Sequence, residues 1–193
     1  MPVARIRFAA VVVVLLVAAI PVRSAEPLQP VPQLDLSRYA GLWHEIAHLP
    51  APFQRDCASD ITVQYTLRPD ELVGVRNTCR DADGELLQAQ GVARPVAGSP
   101  GRLQVRFAPD WLAWLPLVWA DYLVLALDPG YQWAMVGTPD RDYLWILSRS
   151  PGMDRVRYED LTARARAMGF AAEDLVVAAP VYGPAPAEPE PAP

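Results

Sequence analysis

The amino-acid sequence predicts an all-β protein, an eight-stranded antiparallel up-and-down barrel with one C-terminal α-helix packed outside it. Three observations lead there. Between Leu34 and Tyr182 the chain breaks into short segments punctuated by Gly, Pro and Asp. Within those segments apolar residues recur at every second position, the period of a strand with one buried face. Only over Met153–Met168 does the period lengthen to that of a helix. A flat sandwich of the same strands is the alternative, because strand count alone does not separate the two.

The strands follow in order. Gly41–Leu49 is bounded by Pro50 and Pro52. In Ile61–Leu67, Ile61, Val63, Tyr65 and Leu67 alternate with Thr62, Gln64 and Thr66. Arg68-Pro69-Asp70 turns the chain, and Leu72–Cys79 pairs back as a hairpin. Asp81-Ala82-Asp83-Gly84 is the next turn, and Glu85–Arg94 the fourth strand. After Gly98-Ser99-Pro100-Gly101, the residues Leu103, Val105 and Phe107 alternate with Gln104 and Arg106. Tyr122–Leu127, Gln132–Gly137 and Tyr143–Arg149 complete the set, separated by Asp128-Pro129-Gly130 and Thr138-Pro139-Asp140. In the helical segment Val156, Leu161, Ala165 and Met168 form a rough apolar stripe, and Gly169 is a natural stop. Leu175–Ala178 adds a short last strand. Eight such strands close a barrel just wide enough to hold one small ligand.

Composition limits the function classes. At 193 residues the chain is about one domain, and 52% hydrophobic with 20% charged is too apolar for a disordered protein. All 17 basic residues are Arg, set against 22 acidic ones, with no basic block; nucleic acid is excluded as the main partner.

Residues 1–25 read as an export signal. Arg5 and Arg7 precede an unbroken apolar run from Ala9 to Ile20, Pro21 breaks it, and Ser24 or Ala25 offers a small residue for cleavage. The run is well short of the roughly 20 residues a membrane-spanning helix needs. The domain proper is expected over 34–182, with 183–193, rich in Pro, Ala and Glu, a disordered tail. In an oxidising compartment Cys57 and Cys79 would form a disulfide; a single reactive thiol is the other reading.

Two segments carry a family resemblance. Tyr39-Ala40-Gly41-Leu42-Trp43-His44-Glu45-Ile46-Ala47 resembles the Gly-x-Trp first-strand signature of lipocalins. Pro139-Asp140-Arg141-Asp142-Tyr143-Leu144-Trp145-Ile146-Leu147-Ser148-Arg149 resembles the last-strand segment of the branch that contains apolipoprotein D and the bacterial outer-membrane lipocalins. Asp121-Tyr122 is similar to that family's middle signature. The resemblance implies that Trp43 sits at the closed end with Arg149 across its ring, a structural pair, since an indole face attracts a guanidinium. Barrel topology independently places those two at one end, and Cys57 and Cys79 together at the other. Many bacterial relatives are lipoproteins, whereas this leader has no Cys; the expected location is the periplasm or the periplasmic face of the outer membrane, without an evident lipid anchor.

His44-Glu45-Ile46-Ala47-His48 matches the His-Glu-x-x-His pattern of zinc hydrolases. That chemistry needs a helix, so that both imidazoles face one metal. In a strand His44 and His48 would share one face, while Glu45 would point the other way with Trp43 and Ala47. No metal site, cofactor motif or catalytic constellation is expected beyond this rival.

Period-two parity selects the cavity wall. Glu45 and Ala47 follow Trp43 inward; Val63, Tyr65, Val73, Val75 and Asn77 come from the second and third strands. Leu103, Val105 and Phe107 come from the fifth strand, and Tyr143 and Trp145 from the eighth. Trp111 and Tyr122 complete the candidate ligand-binding set. The stretch 109–120 carries Trp111, Leu112, Trp114, Leu115, Leu117, Val118 and Trp119, and is expected at the open end as a lid, a membrane contact or a homodimer surface. The resulting expectation is non-enzymatic binding and transport or storage of a small hydrophobic ligand, a fatty acid or lysophospholipid by the resemblance. The rivals are the zinc hydrolase and an interaction module acting through the Trp-rich loop.

Overall fold

The structure, a computed structural model, describes residues 26–183. The expected signal over 1–25 and the tail from residue 184 onward lie outside the described residues. Eight strands form the barrel: β1 Gly41–His48, β2 Ser59–Leu67, β3 Val73–Arg80, β4 Leu86–Val96, β5 Ser99–Arg106, β6 Ala120–Leu127, β7 Trp133–Gly137 and β8 Leu144–Ser148. Each pairs antiparallel with the next, and β8 returns to β1 through His44↔Ser148 and His48↔Trp145. That closure decides against a sandwich, since no open sheet edge is left between the first and last strands.

A short helix α1, Leu36–Tyr39, precedes β1 and was not expected from periodicity; the Asp35 side chain caps it by accepting the Ser37 N–H. After the barrel come β9 Met153–Asp154, α2 Arg155–Ala167, β10 Val176–Val177 and β11 Val181–Tyr182. β10 extends the sheet alongside the second half of β1, while β9 and β11 pair parallel to each other. The Asp154 carboxylate accepts the Arg157 N–H at the start of α2. Leu161 and Ala165 are fully buried, whereas Val156 is exposed. At about 100° per residue Val156 lies some 140° round the helix from Leu161, so it points away from the barrel.

Two cores occupy the two faces of the sheet. Trp43, Val63, Tyr65, Val75, Val136 and Leu147 belong to the inner one. Ile46, Ala47, Leu125, Ala126, Ile146, Leu161 and Ala165 belong to the outer one, under α2. β-Bulges feed the outer core, because an extra residue in a strand reverses its alternation. The β1–β8 register shifts between Glu45 and Ala47, and the β6–β7 register between Val124 and Ala126. At each shift two successive residues, Ile46 with Ala47 and Leu125 with Ala126, join the outer core.

The closed end is built on Arg149. Its guanidinium carbon lies 3.8 Å from the Trp43 ring centroid. Nη1 donates to the Leu42 carbonyl at 2.7 Å, and Nη2 to those of Arg38, Tyr39 and Ala40 at 2.8, 3.1 and 2.9 Å. Gly41 has φ +104°, and a Cβ there would stand 3.1 Å from Nη1, so both backbone and space call for glycine. Trp43 Nε1 donates to the Tyr39 carbonyl at 2.8 Å. Arg149→Lys is therefore expected to lower unfolding stability by about 2–4 kcal/mol, because a lysine cannot reach several carbonyls while lying flat on the indole. Urea denaturation measures this, and a loss below about half a kcal/mol would show the cap to be dispensable.

Candidate ligand-binding site

The barrel encloses a cavity of about 630 Å³ that opens away from Trp43. The strands place its wall. Val63 and Tyr65 on β2, Val75 and Asn77 on β3, Val105 on β5 and Tyr122 on β6 all face it, as do Glu45 on β1 and Trp145 on β8. Phe107, just beyond β5, and Tyr143, just before β8, complete the expected residues that line it.

Four expected residues lie elsewhere. Ala47 is fully buried in the outer core, because the bulge after Glu45 turns it away from the lumen. Trp111 does not line the cavity; it stands on the β5–β6 loop, in a single turn of 3-10 helix, Asp110–Leu112. Val73 and Leu103 pack in the inner core without reaching the cavity.

Several wall residues were not expected. Phe53 and Gln54 come from the turn Pro52–Gln54, and Leu87 from the start of β4. Parity arguments apply to strands and say nothing of a loop. The only signal for Phe53 was an aromatic residue set between Pro52 and Gln54.

At the deep end three tyrosines join. The Tyr122 hydroxyl lies 2.7 Å from that of Tyr39 and 2.8 Å from that of Tyr65. Burial, the largest influence on each, raises all three phenol pKa values above the ordinary one. At Tyr39 the Tyr65 charge adds to this, at Tyr122 those of Tyr39 and Tyr65, and at Tyr65 that of Glu45.

A second polar group sits beneath the mouth. The Gln54 amide donates to both Glu45 oxygens, at 3.1 and 3.0 Å, and its carbonyl accepts the Trp145 indole N–H at 2.9 Å. His48 Nδ1 is 2.6 Å from Glu45 Oε1. This corrects the expected geometry of the His-Glu-x-x-His segment. The bulge brings His48 to the same side as Glu45, leaving His44 on the opposite face, where alternation from Trp43 puts it. The two imidazoles therefore diverge and cannot close on one ion. Among the described residues no group of three His, Cys, Asp or Glu side chains could hold a metal.

Cys57 and Cys79 form a disulfide at the mouth, with Cα atoms 5.5 Å apart, and tie the β1–β2 loop to β3. The β5–β6 loop leaves the rim as a separate feature rather than a lid. Trp111, Trp114 and Leu117 are 73%, 76% and 83% exposed. Trp119 instead packs beneath Arg94, whose guanidinium carbon is 4.0 Å from its ring, and donates its N–H to the Ala113 carbonyl. Arg106 anchors the loop through the Ala108 carbonyl and the Asp110 carboxylate.

An eight-stranded barrel closed over a tryptophan, with an apolar cavity open at the far end, is the architecture of a binding protein for small molecules. Comparison with known proteins agrees. Residues 34–180 match the model of the lipocalin-like domain. Temperature-induced lipocalin-1 of Arabidopsis thaliana is 36% identical over 139 residues, 71% of this chain and 74% of that protein. Outer membrane lipoprotein Blc of Escherichia coli K12 is 37% identical over 134 residues, covering 68% and 72%. Insecticyanin from the tobacco hornworm Manduca sexta superposes with a TM-score of 0.60 over 83% of this chain and 93% of that one, at 20% identity, a likeness of fold. The chain belongs to the lipocalin family.

The tyrosine group has a measurable consequence. Each phenol is neutral in the fold with its pKa raised, so the unfolded chain loses its protons first. Their contribution is complete below the ordinary tyrosine pKa of about 10, and stability falls as pH rises beyond it. Thermal unfolding followed across that range should show the decline. In Tyr122→Phe it should be shallower, with neutral-pH stability lowered by about 1–3 kcal/mol by two hydroxyls left without a partner. An unchanged alkaline slope would show that these phenols do not govern it.

Proposed function

We propose that this protein binds and carries a small hydrophobic ligand, a fatty acid or a lysophospholipid, in the bacterial cell envelope, without covalent chemistry. One observation carries the reading: a cavity of about 630 Å³, walled by valines and aromatic rings and reached from one end of the barrel. That volume lies within the range that takes a drug-sized molecule or a single acyl chain. Tyr65, Asn77, Tyr122 and Glu45 are among the polar residues of the wall that would orient it.

Export to the periplasm, or to the periplasmic face of the outer membrane, is supported by the leader sequence and by the disulfide, a bond that persists in oxidising compartments. The name of the Escherichia coli relative places that protein at the outer membrane. The exposed Trp111, Trp114 and Leu117 form an apolar surface beside the mouth, suited to a membrane surface from which a ligand would be collected. A homodimer through the same loop is the competing use of those side chains.

Native mass spectrometry of the purified protein, with metal analysis of the same sample, tests the reading. A lipid-sized adduct without zinc is the expected result; one zinc per chain and no lipid would overturn it. Replacing Trp111 and Trp114 by Ser should weaken binding to liposomes roughly tenfold, as loss of two inserted indoles implies, with the melting temperature unchanged. Undiminished liposome binding would remove the loop from the membrane contact, and a change in oligomeric state instead would assign it to a dimer.

A further inference from the structure

The charged residues in the cavity wall are Glu45, Asp56 and Asp121, all acidic, with no Arg among the lining residues described. Asp121 is engaged by Arg102 at 2.9 Å, and Asp56 sits at the rim beside Arg55, 3.6 Å away. Glu45 differs from both. It is 6% exposed, faces the cavity, and has contacts with an amide and an imidazole only, neither carrying a fixed positive charge. A carboxylate in an apolar wall with no guanidinium partner is costly, and the cost is relieved by whatever brings positive charge beside it.

A cluster of aromatic rings lines the same cavity. The Phe53 ring is 5.3 Å from that of Tyr143 and 6.4 Å from that of Trp145, and Tyr143 and Trp145 stack at 6.0 Å. Gln54 fastens this trio to the carboxylate, holding Trp145 with its carbonyl and Glu45 with its amide. Ring faces attract cations, most strongly when several converge out of water, and alkylated ammonium groups are held this way.

We propose that this end of the cavity is a cation subsite, formed by Glu45 with Phe53, Tyr143 and Trp145, that selects amphiphiles ending in an ammonium over those ending in a carboxylate. The inference rests on the cavity being the ligand site. The apolar chain occupies the deeper wall of Val63, Val75 and Val105, and the ammonium stays beneath the mouth. A carboxylate head in the same place meets Glu45 at short range in a low dielectric, where like charges repel strongly.

Equilibrium binding of three amphiphiles of one chain length tests it: dodecyltrimethylammonium, dodecanol and dodecanoate, at mildly alkaline pH. The ammonium is expected to bind about tenfold or more tighter than the carboxylate, with the alcohol between them. In Glu45→Gln the ratio of ammonium to carboxylate affinity should collapse to about threefold or less. Phe53→Leu, on the exposed rim, should lower the ratio of ammonium to alcohol affinity and serves if the glutamine variant does not fold. Dodecanoate binding as tightly as the ammonium, or a preference that survives Glu45→Gln, would overturn the subsite while leaving the cavity as the ligand site. Failure of all three to bind would overturn both.

Discussion

A closed barrel has to solve the problem of its own base, where strands, a preceding helix and a large indole meet with backbone carbonyls turned inward. Arg149 supplies the solution. One planar cation lies on the Trp43 ring and donates to the carbonyls of Arg38, Tyr39, Ala40 and Leu42. Burial draws its pKa below the ordinary arginine value, yet a guanidinium so far from titrating remains charged. The clamp sets where α1 stops and where β1 begins, and so which β1 residues face inward. Everything above it, including the position of Glu45, is counted from that point.

The second constraint is the competition between two cores for the same strand. β1 has to line the lumen with Trp43 and Glu45 and also supply an apolar face to α2. A strictly alternating strand would give α2 only every second residue. The bulge after Glu45 lets Ile46 and Ala47 both serve the outer core and returns His48 to the inner side. The polar network of Glu45, His48, Gln54 and Trp145 is a consequence of that one extra residue. The same device in β6 gives α2 and its neighbours Leu125 with Ala126.

Function, on this reading, follows from a division along the barrel axis. The lower half is packed solid by Tyr39, Trp43, Val73 and Leu103; the upper half is left open and lined. The three linked tyrosines mark the boundary, because their hydroxyls satisfy one another where water is excluded. Polar groups are set among the apolar side chains of the upper half, the condition for orienting a ligand whose body is apolar. The exposed tryptophans lie outside this cavity, so a surface contact made through them and a ligand held in the lumen would engage different parts of the molecule.

Much of this was legible beforehand, and the reason is local. Alternation over Ile61–Leu67, turn residues at hairpin spacing and the Gly-x-Trp segment are short-range features, set by strand pleat and turn sterics, and they identified the eight strands, the final helix and part of the cavity wall. Tyr65, Val75 and Trp145 could be assigned because their strands alternate regularly around those positions. Ala47 and His48 could not, since the bulge exists to satisfy α2, which lies more than a hundred residues later in the chain. Phe53 and Gln54 were out of reach for a related reason: a loop has no period, and their place in the wall depends on Tyr143, Trp145 and Glu45 arriving from other strands. Trp111 shows the converse, an apolar residue whose composition suggested cover for the cavity but whose anchor, Arg106 beneath the loop, turns it outward. Periodicity thus established which residues could face the lumen. Contacts between distant segments chose which of them do, because closure and burial are satisfied by the whole barrel at once.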